Sequence, residues 1–380
     1  MPSPARSETG DPLLLTPGPL TTSKTVKQAM LHDWGSRDAA FVALNAEVME
    51  SLPKIVHGDG AYVTVPMQGS GTFAVEAMLT TFVPRDCAVL VLVNGAYGQR
   101  AKRILAVAGR KTFVHETAED TPPDLGAVER ILLEAPEITH VFAVHCETTS
   151  GILNPIELIA ALCARHGRRL LIDAMSAFGA LELDARTTTF DAVAASANKC
   201  LEGVPGLGFV VCRREALAAT DGNATTLSLD LLDQRGNLEK TGQYRFTPPI
   251  HVIVAFHQAL QEFFAEGGVA GRGGRYAENA RILIGGMRSL GFETLLPDAL
   301  QAPIIATFRM PRHPNFVFQR FYDSLKERGY VIYPGKLTVA DSFRIGCIGR
   351  LYAGHMRGVL EAARETLEEM GVALAPAPAT

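Results

Sequence analysis

No apolar run in this 380-residue chain reaches the ~18 residues that a membrane span requires, and no Cys-x-x-Cys pair or zinc-type spacing with histidine occurs. A membrane-spanning architecture and a structural zinc centre are therefore not expected, and no metal site is. The six cysteines (Cys87, Cys146, Cys163, Cys200, Cys212, Cys347) are scattered, as suits reduced, mostly buried thiols. Basic runs are short and the formal net charge is −4, so the chain lacks the electrostatic footprint of a nucleic-acid binder. No Gly-Lys-Ser or Gly-Lys-Thr follows a glycine-rich turn, which removes the Walker loop. The first dozen residues lack the apolar core of a secretory signal, and a cytoplasmic location is expected. There is no internal repeat, coiled-coil heptad or long low-complexity segment.

What is present is enough apolar material, 47% of residues against 20% charged, to bury a large core and more than one domain. Residues 1–12 are polar and rich in small residues, and a disordered tail is expected there. Strand-like runs at 62–67, 88–93, 111–115, 140–145 and 169–173 alternate with helical patterns at 72–82, 98–108, 124–134 and 156–166. That rhythm predicts an α/β fold, a mainly parallel sheet flanked by helices on both faces, with the active site at the strand C-terminal ends. From 213 to 241 the chain reads as polar and irregular, and a long helix follows over 250–266. Glycines at 267, 268, 271, 273 and 274 mark a boundary, which divides the chain into a large domain over 13–265 and a smaller C-terminal α/β domain over 266–380.

Lys199 follows an apolar run, Phe190 to Ala195, and precedes the glycine-rich stretch Gly203 to Gly208. A lysine held away from water there can lose its proton near neutral pH and attack an aldehyde. Most lysines are only solvated surface charges, and Asp173, at the end of another apolar run, is what changes the reading. Pyridoxal phosphate needs both groups, an amine for its aldehyde and a carboxylate to keep its ring nitrogen protonated. Gln68-Gly69-Ser70-Gly71-Thr72 lies between a strand and a helix, where backbone N–H groups and two hydroxyls make a phosphate cradle, although a capped turn would look the same. Thr148 or Thr149, in a turn after a strand, is placed to bond a ring oxygen, and Tyr97 is placed to stack on a pyridine ring; turn chemistry and a core tyrosine are the plainer alternatives. Arg344 sits among apolar neighbours and calls for an anionic partner, either a substrate or an internal carboxylate. Tyr244 to Pro249 offers hydroxyls for a phosphate or is only a rigid turn. Cys200 has no histidine nearby in sequence to serve as a base, and reads as a core residue.

Taken together these residues resemble the class V aminotransferases of the fold type I pyridoxal-phosphate enzymes. The resemblance runs from Leu13 to the C-terminal helix, and its most specific pieces are Leu15 to Leu20, His32-Asp33-Trp34, Ser196 to Gly206, Arg245 to Pro249, and Tyr333 to Thr338 leading into Phe343 to Gly346. It implies a seven-stranded large domain that holds pyridoxal 5'-phosphate, with Lys199 as its covalent anchor and Asp173 on its ring nitrogen. It further implies Tyr97 stacked on the ring, a phosphate cradle of Ser70, Gly71 and Thr72, Thr148 at the ring hydroxyl, and Ser196 nearby. Thr247, with Tyr244, would reach a phosphate across a homodimer interface, while Arg344 and Gly18 would face the substrate. Cys347 departs from the asparagine expected of the family. Within it, the detail around Lys199 and Tyr333 to Arg350 is most similar to the branch that moves an amino group from 2-aminoethylphosphonate to pyruvate. Alanine- or serine-glyoxylate transamination, a cysteine desulfurase-like lyase and a non-catalytic relative remain the alternatives.

Overall fold

Residues Ala88–Val93 read AVLVLV, and all six are buried. Ala88, Leu90 and Leu92 face one apolar cluster while Val89, Val91 and Val93 face another. A strand apolar on both sides needs cover on both sides, and that requirement sets the architecture. The computed structural model describes residues 4–335 and 340–375. The chain begins with β1 (Leu13–Leu14), α1 (Lys24–Ala29), α2 (Ala39–Ile55), β2 (Tyr62–Gln68), α3 (Gly71–Phe82), β3 (Ala88–Val93), α4 (Ala96–Val107) and β4 (Lys111–Glu116). It continues through α5 (Leu125–Glu134), β5 (Ile138–Val144), the short pair β6 (Cys146–Glu147) and β7 (Ile152–Leu153), α6 (Ile156–Arg165), β8 (Arg169–Asp173), β9 (Ala192–Ser196) and β10 (Leu207–Arg213). There follow α7 (Arg214–Ala218), α8 (Leu231–Thr241), α9 (Ile250–Ala265), α10 (Gly268–Ser289), β11 (Ile305–Arg309), α11 (Phe318–Glu327), β12 (Tyr330–Val331), β13 (Tyr333–Pro334), β14 (Ser342–Gly346) and α12 (Ala353–Met370).

Seven strands form one sheet in the order β2-β10-β9-β8-β5-β3-β4. Every pairing is parallel except the two that β10 makes, with β9 and with β2. The mainly parallel, helix-flanked sheet expected from the alternation is thus observed. Its consequence is positional: the C-terminal ends of β2, β3, β5, β8 and β9 share one edge, where the reversed β10 begins.

A second layer is built from the three-stranded antiparallel sheet β11-β14-β13 with α10, α11 and α12. At its centre Phe343 lies 5.5 Å from Phe292, 5.6 Å from Phe308 and 5.6 Å from Phe321, ring centre to ring centre. Leu13 and Leu15 belong to this cluster, although the sequence reading placed them with the large domain. Strand β1 pairs in parallel with β12, Leu13 opposite Tyr330. The Leu15 carbonyl then accepts the Gly346 N–H at 2.9 Å, and the Thr21 carbonyl accepts the Arg350 N–H at 2.7 Å.

Three expectations are corrected. Residues 4–12 are tied down: the Ala5 N–H bonds the Arg328 carbonyl at 2.9 Å, and Asp11 pairs with Lys27 at 2.5 Å. The stretch read as irregular contains α8, which Asp230 caps by accepting the Asp233 N–H and left-handed Gly242 terminates. The glycines at 268, 271, 273 and 274, read as punctuating a boundary, lie within the first turns of α10. A Cβ on Gly271 would lie 1.9 Å from the Glu266 carbonyl oxygen, and one on Gly273 would lie 2.3 Å from that of Ala180. Those two glycines let the helix touch neighbouring backbone. Among the described residues, no helix is long and apolar enough to cross a membrane.

Candidate active site

Five strand ends deliver chemistry to the shared edge of the sheet. After β2 the chain turns through Gly69 and Ser70 into α3; after β3 it turns through Asn94 and Gly95 into Tyr97. Past β5 lie Glu147 and Thr148, β8 ends on Asp173, and β9 ends on Ser196, three residues before Lys199. Between them is a cavity of about 460 Å³, within the ordinary range for small-molecule sites. Ser70, Gly71, Thr72, Tyr97, Thr148, Asp173, Ser196 and Lys199 all line it. The structure therefore brings together eight of the twelve side chains or backbone positions expected from sequence.

The Lys199 ammonium donates to the Pro17 carbonyl at 2.7 Å. Gly18 lies directly against that lysine: its φ is +124°, and a Cβ there would come within 2.7 Å of Lys199 Cδ. Only glycine meets both conditions. Gly18 thus borders the site from the N-terminal segment without lining the cavity.

Asp173 is 4% exposed, and among the described residues no cation forms an ion pair with it. Its Oδ1 accepts the Met175 N–H at 2.9 Å. Burial pushes the carboxyl up to about 6; the Met175 N–H, Arg100 and Lys199 pull the other way. Ser196 is also buried, and its hydroxyl has no hydrogen-bond partner. At the start of α3, Ser70 occupies the N-cap without using its side chain to cap, so the hydroxyl and the helix's first N–H groups face outward together.

Arg344 does not line the cavity but adjoins it. It is 2% exposed and donates from Nη1 to the Thr148 carbonyl at 2.8 Å and from Nη2 to the Pro334 carbonyl at 3.2 Å. Among the described residues no carboxylate lies within ion-pair distance, and desolvation pulls the guanidinium below its ordinary value. A buried guanidinium bonded only to carbonyls retains its attraction for an anion.

Tyr244 and Thr247 lie elsewhere. The Thr247 carbonyl accepts from Gln68 Nε2 at 2.8 Å, and the Tyr244 hydroxyl is buried without a partner in a small crevice beside Phe73 and Phe246. The motif piece Lys336-Leu337-Thr338 falls outside the described residues. Sequence reasoning passed over Arg100, which bonds the Thr72 hydroxyl at 3.1 Å with its guanidinium 4.8 Å from the Tyr97 ring centre. It also passed over Met175, whose sulfur would meet a Cβ on Gly71 at 2.3 Å. The signal for Met175 was its place two residues past Asp173; nothing local marked Arg100.

The donor set fits pyridoxal phosphate: a partly buried amine, a buried carboxylate awaiting a cation, an unpartnered serine hydroxyl, and a helix start with free donors for a phosphate. Comparison with known proteins agrees. The aminotransferase class-V family model matches residues 34–340. The 2-aminoethylphosphonate--pyruvate transaminase 1 of Polaromonas sp. is 53% identical over 97% of this chain and 100% of its own. A transaminase of the same name from Pseudomonas putida is 53% identical over 95% of this chain and 98% of its own. Among solved structures, pyridoxamine-pyruvate aminotransferase from Mesorhizobium loti superposes with a TM-score of 0.88 at 26% identity, over 97% of this chain and 95% of that one. On the extent of the family match and of these identities, the chain belongs to the class V aminotransferases, which depend on pyridoxal phosphate.

Proposed function

We propose that this chain moves the amino group of 2-aminoethylphosphonate to pyruvate, releasing phosphonoacetaldehyde and L-alanine. The observation that carries the reading is 53% identity, along nearly the whole length, to transaminases named for that pair, in a chain whose cavity joins Lys199 to Asp173. When bound, pyridoxal phosphate supplies an aldehyde for the amine and a protonated ring that withdraws electrons from the carbon losing its proton. Ser70, Gly71 and Thr72 hold the phosphate, and Thr148 and Ser196 bond polar atoms of the cofactor. Tyr97 stacks on the ring and orients it. Asp173 holds the proton at the ring nitrogen. Lys199 Nζ takes a proton from the amine-bearing carbon of the donor and returns one on the acceptor side. Arg344 binds the phosphonate in one half of the cycle and the carboxylate of pyruvate in the other.

The thiols argue against a desulfurase-like reaction. Cys146, which lines the cavity, is buried, and burial pushes its thiol well up. Cys347 and Cys200 are fully buried, with burial pushing each up to about 12. Cys87, the only one not buried, precedes β3 at the edge opposite the cavity. The deciding experiment supplies 2-aminoethylphosphonate, alanine or serine as donor and measures the keto or aldehyde product. Alanine formed from 2-aminoethylphosphonate plus pyruvate, at a rate well above any use of glyoxylate, is the expected result. Its absence would reject this substrate pair.

A homodimer completes the reading. Tyr244 and Thr247 stand outside this chain's cavity, near the half-exposed Phe73 and Phe246, and in a dimer they serve the neighbouring copy's phosphate. Sedimentation at twice the mass of one chain is expected, and a strict monomer would remove that role. The same reading divides the chain into a cofactor-binding part that ends near 265 and a smaller part over 266–380 that brings Arg344, with Leu13 and Leu15 packed into the smaller part. It places the reaction in the cytoplasm.

A further inference from the structure

Glu147 is an acidic side chain at this edge that the reaction does not use. It is fully buried, and both its oxygens are engaged. Oε2 accepts the Tyr97 N–H at 3.0 Å and the Gly98 N–H at 3.4 Å, two of the otherwise unpaired donors at the start of α4. Oε1 accepts the N–H of Thr149 at 3.1 Å and its hydroxyl at 2.6 Å. That hydroxyl in turn accepts the Ala96 N–H at 3.0 Å. One carboxylate therefore fastens the first turn of α4, the helix that carries Tyr97, to the Glu147–Thr149 turn, which carries Thr148 and whose Thr148 carbonyl holds Arg344.

The fit is close on the other side too. A Cβ on Gly95 would lie 2.3 Å from Glu147 Cγ, so the backbone before Tyr97 lies against the carboxylate's own stem. The strand ends below are already joined by a separate pair, in which Asn94 and Asn154 exchange amide hydrogen bonds at 2.8 and 3.2 Å. Glu147 is not needed to hold β3 beside β5. A helix start can be capped by its own local side chain, and desolvating a carboxylate is costly. Here the cap comes from 50 residues away, and the N–H it takes belongs to the residue whose ring faces the cavity.

We infer that Glu147 is a positioning residue for the transamination proposed above, fixing Tyr97 and Thr148 at the places from which they meet the cofactor ring. The inference rests on that reading for the roles of Tyr97 and Thr148. Burial pushes the Glu147 carboxyl above its ordinary value, and the hydrogen bonds from Thr149 and Tyr97 pull the other way. All four hydrogen bonds point toward the carboxylate oxygens, and the α4 dipole favours negative charge at its N-terminus. A glutamine can serve one pair of donors, but it sets its own N–H₂ against the other.

The test is Glu147→Gln, with the cofactor-free protein titrated with pyridoxal phosphate in the absence of any amino donor. Two quantities are read: the circular dichroism of the bound cofactor in the visible, and its dissociation constant by equilibrium dialysis. Affinity is expected to weaken by about 10- to 100-fold, the loss typical of hydrogen bonds to a charged group. The visible dichroism falls with it, because the ring loses its fixed orientation, while the melting temperature of the cofactor-free protein changes little. In turnover kcat drops and KM for the donor holds. A folded Glu147→Gln with an unchanged visible spectrum and unchanged affinity overturns the inference. Should that variant not fold, Thr149→Val removes one hydrogen bond to Oε1 and leaves Glu147 in place. It is expected to shift both readings the same way by a smaller amount, and no shift there is equally fatal. Neither reading needs 2-aminoethylphosphonate, so a wrong donor assignment would show in the donor assay and leave this result standing.

Discussion

Lys199→Ala is expected to slow alanine formation from 2-aminoethylphosphonate and pyruvate by about 10⁴-fold or more, the upper range for removal of a positioned acid-base group. Two functions disappear together, covalent anchorage of the cofactor and proton transfer at the donor's amine-bearing carbon. The fold should survive. The lysine side chain makes a hydrogen bond to the Pro17 carbonyl and lies against Gly18, but the hydrophobic clusters on either face of the sheet do not include it. The check is a single-turnover measurement with added cofactor, alongside the visible absorption that accompanies attachment to Nζ and a melting curve of the cofactor-free variant. A folded Lys199→Ala that keeps more than about a tenth of the wild-type rate would show that another group carries the proton.

Asp173→Asn is expected to move activity and stability in opposite directions. Turnover should fall by about 10²- to 10³-fold, the scale for removing one preorganised electrostatic partner of the reacting system. Without cofactor, however, the folded chain holds the Asp173 carboxyl near 6, above its ordinary value of 3.8, because burial outweighs its one hydrogen bond and the attraction of Arg100 and Lys199. Between those values the unfolded chain has released a proton that the native chain keeps, so native stability falls as pH rises through that window. Above about 6 the loss is complete and amounts to roughly 3 kcal/mol. An amide escapes this cost, and its oxygen can still accept the Met175 N–H. Cofactor-free Asp173→Asn should therefore melt above wild type at pH 7.5, with the gap closing toward pH 4. Equal melting at both pH values would mean that Asp173 is ionised at no cost in the empty cavity.

Local pattern carried much of this. Ala88–Val93 and Arg169–Asp173 are strands with the ends that the sequence suggested, because apolar residues fill both faces and polar turns close them. Asp173, Lys199, Tyr97 and Thr148 were legible because each terminates or follows such a run, and a parallel sheet gathers those ends. α8 was not legible from periodicity, since Leu231 and Leu238 are its only buried apolar side chains; Asp230 and Gly242 were the signals that mattered. Clustered glycines read as a boundary, and their helical contacts with Glu266 and Ala180 have no local signal. The work of Glu147 was invisible for a different reason. Two of its four partners are the N–H groups of Tyr97 and Gly98, 50 and 49 residues away, and no spacing encodes them.

The pairing of Leu13 with Tyr330 has a bearing on how the molecule is made. A ribosome delivers Leu13–Leu14 more than three hundred residues before Tyr330–Val331, and until then that first strand has no strand to pair with. The large sheet can assemble as it emerges, since its seven strands are complete by Arg213. The C-terminal layer cannot, however early its first piece is synthesised. It closes only when the nascent chain has nearly ended, and the Pro17 carbonyl beside Lys199 reaches its final place in that same late event.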